Sequence, residues 1–211
     1  MSPLPREMAD RWHSRPEPGP GQSQLYWHIL MKDQPEVRAL AALARQRLAP
    51  FPGLHFTPQE CLHSTVLRVG SADGIAAASI DEMIEQARQR LRKVPPVSVS
   101  LGRVLYHPEA ITLGVQPADA LDPVFDAVRE AAQSTAGKPE DAGKTGWTPH
   151  VTMAYSTAVQ PADPIIAALG RELPACKITV SSISLIAQQG AERHWDWHQV
   201  AAVQLGPTVA V

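Results

Sequence analysis

Two copies of one α+β unit, set against each other as lobes about a pseudo-twofold axis, make up the fold this sequence predicts. Three observations carry that prediction. Strand-like and helix-like stretches recur in the same order in the two halves of the 211-residue chain. A short text recurs at matching places, Val94-Pro95-Pro96-Val97-Ser98-Val99-Ser100 in one half and Leu173-Pro174-Ala175-Cys176-Lys177-Ile178-Thr179-Val180-Ser181 in the other. Each half also holds one His-x-Thr-apolar motif in a run with strand character: Cys61-Leu62-His63-Ser64-Thr65-Val66-Leu67, and Pro149-His150-Val151-Thr152-Met153-Ala154-Tyr155. The period is too long for a solenoid.

The elements follow in order. Residues 1–24 are rich in proline and glycine and are expected to be an irregular N-terminal arm, with Met1–Met8 a tail and the Trp12 region lying along the surface. Leu25–Met31 is aromatic and β-branched, hence a strand. Pro35 opens a helix, and Val37, Leu40, Ala41, Ala44 and Leu48 keep helical spacing. The first motif strand runs near Leu62–Val69. Ser79 or Asp81 is expected to cap the next helix, with Ile80, Ile84, Ala87 and Leu91 on one face. Val97, Val99 and Leu101 alternate with serines, and Gly102 marks a bulge before Val104–Tyr106. Ile111–Val115 returns as a strand. Asp122-Pro123 opens a helix, and residues 134–146 form a polar loop. The second motif strand spans about Trp147–Tyr155. A short helix over Pro161–Leu169, one strand over Ile178–Ile186 and a last strand over Trp195–Val203 complete a single domain at 25–206. Its interleaved repeats cover about 25–105 and 111–203.

Bulk composition narrows the function. Apolar residues make up 44% and charged residues 19%, ordinary for a globular chain. A formal net charge of −2 argues against a sequence-independent binder of long nucleic acid. Two cysteines without metal-type spacing fit a reducing compartment, and no apolar segment resembles a leader or a membrane span. A cytoplasmic monomer with no membrane association and no obligate protein partner is expected. No glycine-rich phosphate loop points to a nucleotide cofactor.

In a strand, alternate side chains share a face and lie about 6–7 Å apart. His63 with Thr65, and His150 with Thr152, can therefore hold one anionic group from opposite sides. Histidine titrates near pH 6.5, so one ring can take a proton while the other gives one. The threonine hydroxyls can donate to phosphoryl oxygens. This chemistry cleaves a phosphodiester without a metal. Zinc is the rival, with Cys61 two residues before His63, but threonines are poor zinc ligands. A third His-x-Thr, His55-Phe56-Thr57, runs into Pro58 and has no counterpart in the other half. It is set aside.

The doubled motifs resemble those of the 2H phosphoesterase superfamily, and within it the 2′-5′ RNA ligase / RNA 2′,3′-cyclic phosphodiesterase family. The resemblance covers about residues 24–206. It implies a bilobal α+β fold in which two antiparallel sheets form a central cleft, with helices packed outside. It implies metal-free, cofactor-free hydrolysis of a 2′,3′-cyclic phosphodiester, on an RNA end or a small nucleotide, to a 2′-phosphomonoester. The reverse reaction is ATP-independent 2′-5′ ligation. His63 and His150 become the acid/base pair, and Thr65 and Thr152 the phosphate binders. The other reading is a module that binds a nucleotide or RNA phosphate without turning it over.

Secondary candidates surround these four. Tyr26 and His28 share a face of the first strand and reach the substrate if that face looks into the cleft. Tyr155 lies three residues past Thr152, so in a regular strand it faces away. Trp147, Trp195 and Trp197 can stack on a base. Arg68, Lys144 and Arg193 can lend positive charge to the cleft mouth.

Overall fold

Strands and helices form largely where period-2 and period-3.6 patterns place them. In the computed structural model the described residues are 4–13, 15, 17–137 and 147–207. Most of the loop expected at 134–146, Lys144 included, lies outside them. The chain order is β1 (Glu7–Met8), β2 (Ser23–Leu30), α1 (Pro35–Leu48), β3 (Leu54–Phe56), β4 (His63–Ser71), α2 (Ala77–Leu91), β5 (Val97–His107) and β6 (Ala110–Gly114). Then come α3 (Asp122–Thr135), β7 (His150–Ser156), β8 (Gln160–Pro161), α4 (Ala162–Leu169), β9 (Glu172–Val180), β10 (Ser182–Gln189) and β11 (Trp197–Gln204).

The strands form a four-stranded sheet, β11-β10-β2-β4, a five-stranded sheet, β3-β7-β6-β5-β9, and the small pair β1-β8. All pairings are antiparallel. The lobes interleave. Helix α1 follows a strand of the four-stranded sheet but packs with α4 against the five-stranded one, while α2 and α3 cover the four-stranded sheet. Leu25, Trp27, Ile29 and Leu67 are buried beneath one pair of helices, and Ile111, Leu113 and Val151 beneath the other. The α+β fold with duplicated antiparallel sheets is the one expected.

Four local expectations are corrected. Ala76, not Ser79 or Asp81, precedes α2, and no side chain caps it. The run Ile178–Ile186 is two strands in different sheets. Val180 pairs with Val97 in one, and Ser182 with Gln204 in the other. Apolar alternation on both sides of Ser181 hides this crossing. The last strand begins at Trp197, because Trp195 takes a left-handed φ of 56° at the end of a short 3-10 turn. The end of the supposed tail is ordered: Glu7–Met8 pairs with Gln160–Pro161, and Met8 is wholly buried. The recurring text has a structural meaning too. Its two copies pair with each other, Ser98 opposite Thr179, as a local twofold requires.

Candidate active site

The two motif strands, β4 and β7, touch at the centre of the molecule while belonging to different sheets. His63 begins β4 and His150 begins β7. Each ring is held in the same way. Nδ1–H of His63 donates to the Cys61 carbonyl at 2.7 Å, and Nδ1–H of His150 to the Thr148 carbonyl at 2.8 Å. The acceptor is a carbonyl two residues back in both cases, so the neutral tautomer is fixed and Nε2 carries the lone pair. Cys61 thus offers His63 its carbonyl and not its thiol. Trp147 ties the lobes together, since its indole N–H donates to the Thr65 carbonyl at 3.1 Å while its ring stacks on Phe125. That is a packing role.

Both motifs contain a bulge that sequence parity does not reveal. Opposite β2, His28 pairs with Thr65 and Trp27 with Leu67, leaving Val66 as the extra residue. Opposite β6, Thr112 pairs with Thr152 and Ile111 with Ala154, leaving Met153 extra. Val66 and Met153 are the fourth positions of their His-x-Thr-x motifs. A bulge re-aims the residues that follow it. Tyr155, expected to face away from His150 and Thr152, therefore lines the same groove as both. Arg68 is its counterpart in the first lobe.

Tyr26 and His28 stand on the face of the four-stranded sheet opposite the buried Trp27. His28 is buried, stacks on His63 at 4.1 Å between centroids, and lies 3.3 Å from the Thr65 hydroxyl through Nε2. Tyr26 lies 5.3 Å from His28. Trp197 meets His63 edge-on at 4.8 Å, with Trp195 farther off at 6.4 Å. Burial, aided by the His150 charge, lowers the His63 pKa from 6.5 to about 4, against the pull of the Cys61 carbonyl and of Glu192. Burial and the His63 charge likewise hold His28 well below its usual value.

The second lobe is open where the first is filled. At the places of His28 and Leu30 stand Thr112 and Gly114, opposite Thr152 and His150. A groove of about 1430 Å³ spreads over this face, lined by His150, Thr152 and Tyr155 but by neither His63 nor Thr65. One end is closed by a cluster the sequence did not disclose. Arg11 makes a bidentate pair with Glu192 at 2.9–3.0 Å and lies 4.1 Å over the Tyr155 ring. The Tyr155 hydroxyl donates to Glu192 at 3.3 Å, and burial raises its pKa. Arg11 and Arg15 also meet Glu109. Arg193, a candidate for the cleft mouth, is paired with Glu17 instead. His55, in the set-aside third motif, sits on β3 beside Tyr155 and packs between Trp12 and Trp195. No local motif announces these contacts, which join residues far apart in the chain.

Solved structures share this fold. TT0787 of Thermus thermophilus superposes with a TM-score of 0.66 at 16% identity, covering 87% of this chain and 98% of that one. E. coli LigT complexed with ATP gives a TM-score of 0.64 at 17% identity, covering 88% and 99%. LigT complexed with 3′-AMP gives 0.62 at 18% identity, covering 87% and 98%. A comparison with curated proteins gave no match. The model of the 2′-5′ RNA ligase superfamily matches residues 32–192, and the chain belongs to that superfamily, the 2H phosphoesterases. It is thus an enzyme of the phosphoesterase or ligase type. Among the described residues no helix is long and apolar enough to cross a membrane.

Proposed function

We propose that this chain hydrolyses a 2′,3′-cyclic phosphodiester, on an RNA end or a small nucleotide, to a 2′-phosphomonoester without a metal. Water oxygen bonds to phosphorus, the P–O3′ bond breaks, and O3′ leaves as a hydroxyl. One histidine takes the proton of water and the other gives a proton to O3′. With the 5′-hydroxyl of a second strand in the place of water, the same bond changes give 2′-5′ ligation. The observation that carries this reading is the matched tethering of His63 and His150 through Nδ1, which presents Nε2 of both rings for proton transfer. His63, held neutral by burial, suits the base, and a phosphate anion beside it would raise its pKa toward the working pH. The acid then falls to His150. Thr65 and Thr152 bind the phosphoryl oxygens. If Nε2–H of His28 donates to the Thr65 hydroxyl, the proton of Thr65 is left for the phosphate. Tyr26, His28 and Tyr155 border the substrate.

The test is incubation with a 2′,3′-cyclic dinucleotide in EDTA, with the product isomer identified by chromatography. A 2′-phosphate is expected. A 3′-phosphate contradicts the mechanism, and binding with no product over hours favours a non-catalytic phosphate-binding module.

A further inference from the structure

The groove over the second lobe continues past His150 to two arginines that the proposed reaction does not use. Arg103 lies on β5 and Arg171 just before β9, and both line the same groove as His150 and Thr152. The other arginines lining it, Arg11 and Arg15, are neutralised by Glu192 and Glu109. Among the described residues Arg103 and Arg171 have no carboxylate within ion-pair distance. Glu172, opposite Arg103 on β9, also lines the groove.

Arg103 faces the groove because the backbone is built to turn it there. Val99 and Leu101 are buried in the core, and strict alternation would send residue 103 after them. The register slips between Leu101 and Arg103, so Val104 takes the core side and Arg103 joins Ser100 and Leu105 on the groove side. Gly102 makes the slip possible, with φ +154°. A Cβ there would stand 3.1 Å from the Ala175 Cα and the Leu173 carbonyl oxygen. Arg171 is fixed by its own backbone, whose carbonyl accepts from Val104 N–H at 2.9 Å. Arg103 and Gly114 are the next residues beyond the Val104–Leu113 pair of β5 and β6, and Gly114 pairs with His150 on β7. Two strand spacings separate Arg103 from His150, about 10 Å at Cα. Gly114 brings no side chain of its own to the floor between them, and the apolar Leu105 side chain lies over it. A nucleotide whose ribose phosphate meets His150 can cross this floor and bring a second phosphate to the arginines.

We propose that Arg103 and Arg171 form a second anion subsite, which takes a phosphate on the 5′ side of the nucleotide bearing the cyclic phosphate. This rests on the proposed phosphodiesterase reading. Two sources share the chemistry, a 5′-monophosphate on a free nucleotide and the next phosphodiester of an RNA chain.

Three substrates separate the cases: cytidine 2′,3′-cyclic phosphate, the same compound with a 5′-phosphate, and a dinucleotide ending in a 2′,3′-cyclic phosphate. Wild-type kcat/KM is expected to be about tenfold higher for one or both phosphate-bearing substrates than for the first, the gain of charge-assisted hydrogen bonds. In the Arg103→Ala, Arg171→Ala double variant that ratio is expected to fall to about 1. Arg92→Ala, which removes one charge at the end of α2 away from the groove, should keep it. A gain confined to the dinucleotide assigns the subsite to an RNA chain. A wild-type ratio near 1, or a ratio retained in the double variant, overturns the proposal. If no substrate is turned over, the phosphodiesterase reading fails by itself. The subsite is then read by titration calorimetry with cytidine 2′,5′-bisphosphate against cytidine 2′-monophosphate. Equal affinities, or a difference kept by the double variant, overturn it there.

Discussion

His63 should stay neutral to well below the pH at which histidines ordinarily titrate. Its ring is enclosed by His28 at 4.1 Å and Trp197 at 4.8 Å, and burial is the main reason its pKa falls from 6.5 to about 4. A difference of that size corresponds to about 3 kcal/mol between the two protonation states. Above pH 6.5 the ring is neutral in both the folded and unfolded chain and adds no pH dependence. As the pH falls from 6.5 toward 4, only the unfolded chain takes up the proton, so folding stability drops, by about 3 kcal/mol once the window is crossed. His28, shifted the same way, adds to the loss. Trp197→Ala opens one side of the cage to water and should raise the His63 pKa by about 1, because desolvation is what lowers it. The measurement is an NMR titration of the histidine ring protons, assigned with His63→Gln. Denaturant unfolding between pH 4 and 7 runs alongside, and the His63→Gln chain should show a shallower pH slope. A wild-type His63 titrating at 6–7, or a pKa unmoved in a folded Trp197→Ala chain, would refute the burial argument.

Other outcomes follow from the same geometry. His63→Ala and His150→Ala should each lower kcat on a 2′,3′-cyclic nucleotide by about 10²–10⁴ while leaving the circular dichroism spectrum unchanged, and full activity in either sinks the acid/base pair. Exhaustive chelation should leave turnover within a factor of about two, since the proposed mechanism assigns both proton transfers to histidine rings. Gly114→Ala places a Cβ 2.9 Å from the Leu105 Cδ1 atom, a movable side-chain end, so Tm should hold while KM rises as the displaced Leu105 crowds the groove. Met8→Ala should cost about 2–3 kcal/mol in urea unfolding, as a wholly buried methionine does, whereas a true tail would cost nothing.

What the sequence disclosed was whatever repeats or alternates. The doubled His-x-Thr strands, the paired texts around Ser98 and Thr179, and the helix faces under each sheet follow from local periodicity. Parity failed at single residues. Val66 and Met153 each add one residue to a strand, and the register slips at Gly102; each changes which later side chains face the cleft. Val66 and Met153 look like any strand residue, so parity puts Tyr155 on the wrong face. Gly102 is visible as a bulge, yet its effect on Arg103 depends on the register with β9, which no local pattern carries. The Arg11–Glu192 pair is more distant still, 181 positions apart in the chain, and depends on how the arm crosses the finished fold.

The duplication also explains why two identical motifs can serve unlike roles. Symmetry supplies the common features: a carbonyl behind each Nδ1, a threonine two residues on, and a bulge after it. The division of labour comes from the neighbouring strand. Beside Thr65 stands His28, which crowds His63 and strips it of water. Beside Thr152 stands Thr112, with Gly114, which has no side chain, next to His150. Burial disfavours the charged ring of His63, so the neighbouring strand, and not the motif itself, sets its proton affinity. Exchanging the neighbours, His28→Thr with Thr112→His, should therefore move the ring shielded from water toward the second lobe. Ring-proton titrations would then show the His63 pKa rising, and a His63 pKa unmoved in the folded double variant would disprove the assignment of the asymmetry to these neighbours.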